Sequence, residues 1–134
     1  MRRASSVRLA GANDILPIVD MIEELRAAVC GPVPVDRPWT AGILAKLITS
    51  PDAAVWVSGG GFIAGSLQPT VISPSLIAME HGWWARDGSG LRLLRAFEAW
   101  AQDRGALLTQ LSTGPTGLDL TRLGYRLAER AWVK

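Results

Sequence analysis

The chain has 134 residues, of which 49% are hydrophobic, and 14 basic against 12 acidic residues leave a formal net charge of +2. This length and composition predict one compact domain over residues 1–134, large enough to bury a core. The basic residues are almost all arginines scattered along the chain, which argues against a nucleic-acid partner.

Cysteine and histidine occur once each, as Cys30 and His81. A single cysteine cannot form an intramolecular disulfide, and a single histidine leaves no metal-ligand spacing, so we expect no metal site. No apolar run reaches the roughly 18 residues of a membrane helix, and the N-terminus lacks the apolar core of a secretion signal. We therefore expect a cytoplasmic protein with no membrane partner.

The first third of the chain predicts a strand and two helices. Alternation predicts a strand over residues 6–10, and Asn13 is the expected cap of the helix that follows. Apolar residues at three-and-four spacing predict that helix over residues 15–29. A turn-rich linker over residues 30–38 comes next, and Thr40 is the expected cap of a second helix.

In the middle of the chain the sequence pattern changes from that of helices to that of strands. Residues 53–58 and 62–72 predict two strands joined by a tight turn at Gly59–Gly61. Pro69 cannot donate to a sheet ladder, so its part of the second strand is expected to be a bend or an edge. Residues 75–85 are long and apolar enough for a central strand.

The last third predicts a helix that ends at Gly105, a strand over residues 106–112, a short helix over 116–124 and a final strand over 125–133. The order is therefore β-α-α-β-β-β-α-β-α-β. This order indicates an α/β or α+β domain with a mixed sheet and helices on its faces. Ligand sites in such domains tend to lie where strands lead into helices.

The segment "ARDGSG", residues 85–90, is such a junction. A helix that begins near Gly88 would leave the N–H groups of its first turn without helical partners, at the positive end of its dipole. Gly88 and Gly90 lack side chains, so a phosphate could approach the backbone closely, with Arg86 or Arg92 adding charge from the rim. The same residues could equally form a plain turn with a helix cap.

The element order, this junction and the segment "LGYRLAER", residues 123–130, together resemble the GNAT superfamily of acetyl-CoA-dependent N-acetyltransferases. The short junction is also similar to small bacterial or phage-encoded acetyltransferase-like proteins. In this family a central strand splays from its neighbour and leads into a pyrophosphate loop of pattern Gln/Arg-x-x-Gly-x-Gly/Ala. "ARDGSG" keeps both glycines at that spacing. The resemblance implies a GNAT-like fold, acetyl-CoA as co-substrate, and cofactor contacts from Trp83, Trp84, Ala85, Arg86, Asp87, Gly88, Ser89, Gly90 and Leu91.

Two positions depart from the family pattern. Ala85 stands where the family usually has Gln or Arg, unless Arg86 takes that place after a one-residue shortening of the loop. The general acid of the family is often a Tyr four or five residues before the Leu-Gly-Phe turn, and this chain has Leu118-Asp119-Leu120 there. Its one tyrosine, Tyr125, falls where the family has Phe.

Glu80 matches the place where many family members carry a carboxylate that serves as general base. Alternation along the strand would place Glu80 on the face of Ala78, Gly82 and Trp84 and opposite His81, so only one of the two can point into a given cleft. Glu80 is the favoured catalytic residue and His81 the alternative base. Each could also be structural, with Glu80 paired to an arginine.

The predicted function is transfer of an acetyl group from acetyl-CoA to a small-molecule or peptide amine by direct attack. The alternative is a catalytically degenerate GNAT-fold protein with a structural or binding role, such as a phage or prophage component. The acceptor pocket is expected between the linker over residues 31–38 and the helices beside it. An exposed Trp39 or Trp132 would indicate an interface, which leaves a homodimer or a virion-associated assembly open.

Overall fold

A five-stranded mixed sheet forms the centre of the structure, a computed structural model that describes residues 6–134. Its strands, in both chain order and spatial order, are β1 (Arg8–Leu9), β2 (Ala53–Val57), β3 (Gly61–Gln68), β4 (Ile77–Ala85) and β5 (Thr109–Gln110). The pairs from β1 to β4 are antiparallel, whereas β5 runs parallel to β4. A parallel neighbour requires a crossover connection, and the helix α3 (Gly90–Asp103) supplies it.

Helices cover both faces of the sheet. The helices α1 (Ile15–Ala28) and α2 (Arg37–Thr49) bury Ile18 and Leu44 against Phe62 on one face. On the other face α3 buries Leu93 and Phe97, and Phe97 stacks on Trp100 and meets Trp56 edge to face. Because helices lie on both sides, all five residues of β2 are buried. No helix among residues 6–134 combines the length and the apolar character needed to cross a membrane.

A β-bulge interrupts the pairing of β3 and β4. Gly65 lies opposite Glu80, but the preceding Ala64 lies opposite Gly82, so His81 is the extra residue of β4. A bulge of this kind changes the side to which the following residues point, because side chains in a strand alternate with a period of two.

The bulge corrects the predicted faces of β4. Glu80 shares the α3 face with Ala78, as predicted, because their partners on β3 belong to that face. Gly82 and Trp84 lie on the opposite face, toward α1 and α2, so their predicted place beside Glu80 was wrong. Simple alternation along β4 does not account for the extra residue His81.

Two predicted helix caps were also wrong. Asp36, and not Thr40, caps α2, because its carboxylate accepts the N–H of Trp39 at 3.0 Å. Pro38 fits in the first turn of α2, where backbone N–H groups have no helical partner. Asn13 lies in a short 3₁₀ turn (Ala12–Asp14), and α1 begins after Asp14.

The C-terminal part differs most from the predicted element order. The helix expected over residues 116–124 is only a 3₁₀ turn (Thr121–Leu123), although it does end at Gly124 in the left-handed conformation. The final strand expected over 125–133 does not form, and residues 126–134 are exposed. A strand requires a neighbour to pair with, and β5 is only two residues long. Pro69 lies just beyond the last residue of β3, as expected for a residue that cannot donate to the sheet ladder.

The packing of α3 on the sheet depends on a glycine in β3. A Cβ added at Gly65 would lie 2.3 Å from Cε1 of Phe97 and 2.9 Å from the carbonyl oxygen of Met79. We expect Gly65→Ala to lower the free energy of unfolding by about 1–3 kcal/mol in urea denaturation, because neither neighbour can yield freely. Gly42→Ala is the control, since Gly42 is an exposed helical residue with no such neighbour within 4 Å. Equal stability of Gly65→Ala and the wild type would contradict this packing.

Candidate active site

The strands β4 and β5 separate after a short paired stretch. They pair only at Ala78 with Thr109 and at Met79 with Gln110. From residue 80 to residue 85, β4 has no paired strand on this edge among residues 6–134. An extended backbone edge of this kind presents N–H and C=O groups that a ligand can use.

Glu80 lies at the point where the two strands separate. Its Oε1 accepts the backbone N–H of Ser112, two residues after β5, at 3.1 Å. Burial raises the pKa of the Glu80 carboxyl to about 7, although the hydrogen bond from Ser112 acts in the opposite direction. A carboxyl with this pKa can both accept and release a proton near neutral pH, which is the property of a general base.

His81 points to the other face of the sheet, so the prediction that Glu80 and His81 occupy different sides is confirmed. Its Nε2 lies 2.6 Å from the hydroxyl of Ser66, and that hydroxyl also accepts the side-chain N–H of Gln68 at 2.8 Å. Burial lowers the pKa of His81, which favours the neutral imidazole. The contacts fix the ring on the side of α1 and α2.

The junction between β4 and α3 is held by its own polar groups. Oδ1 of Asp87 accepts both the backbone N–H of Ser89, at 3.1 Å, and its hydroxyl, at 2.5 Å. Ser89 is fully buried, and its oxygen also lies 2.7 Å from the hydroxyl of Ser58. The hydrogen bond from the Ser89 hydroxyl holds the pKa of Asp87 below its usual value, and the charge of Arg92 contributes. Gly88 has φ +79°, in the left-handed region that favours glycine.

The two tryptophans of the junction are fixed at different places. The indole N–H of Trp83 donates to the carbonyl of Gly90 at 3.0 Å, so this ring lies under the start of α3. The indole N–H of Trp84 donates to Glu24 of α1 at 3.2 Å. Ala85 is the last residue of β4, and the side chain of Leu91 in the first turn of α3 is about half exposed.

Arg86 is turned toward α1. Its guanidinium forms an ion pair with Glu24, and this interaction holds the pKa of the Glu24 carboxyl below its usual value. The backbone N–H of Arg86 donates to the carbonyl of Gly60 in the β2–β3 turn at 2.7 Å. The side chain of Arg86 therefore supports the loop from the side of α1.

Gly90 is a glycine that the fold itself does not require. A Cβ at this position would lie 3.7 Å from Cβ of Ala85 and 3.7 Å from Nε1 of Trp83, which are ordinary contacts. Its φ is not in the left-handed region, in contrast to that of Gly88. Neither packing nor backbone conformation therefore explains why this position is a glycine.

A cavity of about 220 Å³ lies on the face covered by α1 and α2. It is lined by Ile22, Trp39, Thr40, Ile43, Leu47, Phe62, Ala64, His81 and Gly82. The helices α1 and α2 contribute to its wall, whereas no residue of the linker over residues 31–38 lines it. Trp39 is 68% exposed and Trp132 is 86% exposed.

Sequence reasoning did not find several partners of these residues. Ser112, Ser66 and Glu24 hold Glu80, His81 and Arg86, respectively. Glu24 and Arg86 are 62 positions apart, and no local pattern links them. Only the fold brings these residues together.

No protein-family model matches the chain, and no curated protein matches it in sequence. Solved structures do match, over nearly the whole chain. A predicted acetyltransferase from Clostridium acetobutylicum, solved with acetyl-CoA, has a TM-score of 0.78 and 12% identity, with 97% of this chain and 94% of that chain covered. AAC(6')-Iy, in complex with a bisubstrate analog, has a TM-score of 0.74 and 14% identity, with 98% and 97% covered.

A third match is an aminoglycoside acetyltransferase from an uncultured soil metagenomic sample, in complex with sisomicin. Its TM-score is 0.64 at 18% identity, with 97% of this chain and 93% of that chain covered. TM-scores of 0.64 to 0.78 over nearly the whole chain establish the architecture. The chain has the fold of the GNAT acetyltransferases.

Proposed function

We propose that this protein transfers an acetyl group from acetyl-CoA to an amine by direct attack of the amine on the thioester. The observation that carries the proposal is Glu80, a partly buried carboxyl at the separation of β4 and β5, five residues before the end of β4. Similar structures that contain acetyl-CoA, a bisubstrate analog or an aminoglycoside support the same chemistry.

The pyrophosphate of acetyl-CoA would bind at the start of α3. The backbone N–H groups of Gly88, Gly90 and Leu91 would donate to it, at the positive end of the helix dipole, whereas that of Ser89 already donates to Asp87. Asp87 and Arg86 would shape the loop, because their side chains are engaged with Ser89 and Glu24. The glycine at position 90, which packing does not require, supports this placement.

The pantetheine arm would follow the open edge of β4. The backbone of Trp83, Trp84 and Ala85 lies on this edge, next to the junction. The distance along β4 from Ala85 back to Glu80 is about 16 Å of extended strand. An extended pantetheine arm has a comparable reach, so the thioester would lie beside Glu80.

The reaction needs a neutral amine as nucleophile. The amine nitrogen forms a bond to the thioester carbon, the carbon–sulfur bond breaks, and Glu80 takes the proton that the amine loses. CoA leaves as a thiolate, which then takes a proton from solvent, and thiols have an ordinary pKa of about 8.5. Tyr125 takes no part in this proposed step, because its hydroxyl donates to Glu98 at 2.7 Å.

The proposal is tested with purified protein in two measurements. Calorimetric titration with acetyl-CoA should give a dissociation constant in the micromolar range, and a coloured thiol reagent should detect free CoA when an amine is added. A folded protein that binds no acetyl-CoA would contradict the proposal and favour a catalytically degenerate member of the fold. Small-molecule and peptide amines are the acceptors to include.

A further inference from the structure

The wall of the cavity beside His81 is almost entirely apolar. Ile22 from α1, Ile43 and Leu47 from α2, and Phe62 from β3 are among the residues that line it. Pockets of this composition bind ligands with an apolar body and use a few polar groups to orient them. The indole of Trp39 also lines the cavity and is 68% exposed, so a flat apolar ligand could cover it.

The same wall lacks negative charge. None of the described residues that line the cavity is an aspartate or a glutamate. The nearby carboxylates of α1 are already paired, Asp20 and Glu23 with Arg37 and Glu24 with Arg86. The carboxylate of Asp36, before α2, accepts the backbone N–H of Trp39 and does not line the cavity. A ligand with several ammonium groups would lose hydration there without gaining counter-charges, which is costly.

The polar groups of the wall are few and suit a ligand with one amine. They are the hydroxyl of Thr40 and the imidazole of His81, which Ser66 holds in place through a 2.6 Å contact. His81 is the bulge residue that follows Glu80 directly in β4. The thioester is proposed to lie at the open edge of β4, so a nitrogen that leaves the cavity beside His81 would approach it from the face of α1 and α2, and Glu80 on the α3 face would take its proton across that edge.

We propose that the acceptor is a compound with a single amine on an apolar, preferably aromatic, body, and that it binds in the cavity lined by Trp39, Ile43, Phe62 and His81. This inference rests on the proposed acetyl transfer for its chemistry, but it defines the binding site independently. Polycationic amines are excluded as good acceptors, because the described residues of the cavity wall include no carboxylate to pair with their charges.

Binding can be tested without acetyl-CoA. The probe is 2-phenylethylamine, titrated into the isotope-labelled full chain while NMR follows the indole N–H of Trp39 and the backbone amides of His81 and Gly82. We expect saturable shifts of these signals, and Trp39→Ala should weaken binding at least about 10-fold. The control is Trp132→Ala, which removes an even more exposed indole outside the cavity and should leave the affinity unchanged. Absence of shifts at the cavity signals in the wild type would overturn the inference.

The acceptor class is tested by comparing 2-phenylethylamine with sisomicin in the thiol-release assay and in the same NMR titration. We expect release and binding with the first amine only. Preferential binding or acetylation of sisomicin would overturn the inference and leave acetyl transfer intact. Absence of acetyl-CoA binding, with 2-phenylethylamine still bound in the cavity, would instead overturn the proposed function alone.

Discussion

Gly90→Glu is expected to lower the affinity for acetyl-CoA by at least about 100-fold, or about 2.7 kcal/mol, and to leave the protein folded. The new carboxylate would stand in the first turn of α3, where the phosphates are proposed to bind. Charge repulsion and the loss of charge-assisted hydrogen bonds, worth about 1.5–3 kcal/mol each, act together there. Calorimetric titration measures the change.

The fold should tolerate this substitution. The position of Cβ at Gly90 has only ordinary contacts, and an acidic residue near the start of a helix interacts favourably with the dipole. Gly42→Glu is the matched control, because it adds the same charge to an exposed helical position with no neighbour within 4 Å. If Gly90→Glu bound acetyl-CoA as tightly as the wild type, the phosphates would have to bind elsewhere.

Glu80→Gln is expected to lower kcat by about 10²- to 10⁴-fold, the usual contribution of a general base, with little change in the dissociation constant of acetyl-CoA. The amide oxygen of glutamine can still accept the N–H of Ser112, so the local geometry is preserved. Glu98→Gln is the control, because it removes a carboxylate from α3 that binds Tyr125 and Arg95. A kcat that falls equally in both variants would argue against a specific role for Glu80.

The wild-type rate should also depend on pH. Only the deprotonated carboxylate can take a proton, so kcat should rise as the pH increases through about 7, the pKa of Glu80, and then level off. This rise should be absent in Glu80→Gln, whatever residual rate the variant keeps. A pH profile of kcat at saturating substrate measures both curves.

The raised pKa of Glu80 also makes the stability of the folded protein depend on pH. The folded protein binds the Glu80 proton more tightly than the unfolded chain, in which the ordinary pKa is 4.5. Stability is therefore lost as the pH rises from about 4.5 to about 7, and the loss stays constant above that range. Denaturation at pH 8 should show Glu80→Gln to be at least as stable as the wild type.

The elements up to α3 could be predicted because their signals are local. The helix α1 has apolar residues at three-and-four spacing, and the β2–β3 turn has three consecutive glycines. Pro69 marked the end of β3, and the glycines of the junction marked the start of α3. In each case the residues that decide the structure are close together in the chain.

The rest depended on pairing between distant segments. The extra residue His81 exists only relative to β3, so alternation along β4 could not reveal that Trp84 faces α1. Residues 125–133 alternate like a strand, but a strand there would have to pair with β5, which is only two residues long. The sequence of residues 125–133 carries no information about the length of β5. The raised pKa of Glu80 likewise follows from its burial in the fold.

The helix α1 contacts both the cavity proposed for the acceptor and the junction proposed for acetyl-CoA. Ile22 forms part of the cavity wall, and Glu24, two residues later, holds Arg86 and Trp84 at the junction. A displacement of α1 caused by either substrate would change the surroundings of the other. Thermodynamic linkage makes such coupling reciprocal, so an acceptor that tightens acetyl-CoA binding is itself bound more tightly, by the same factor, once acetyl-CoA is present. Cooperativity between the two substrates would then reside in one helix that contacts neither reacting atom.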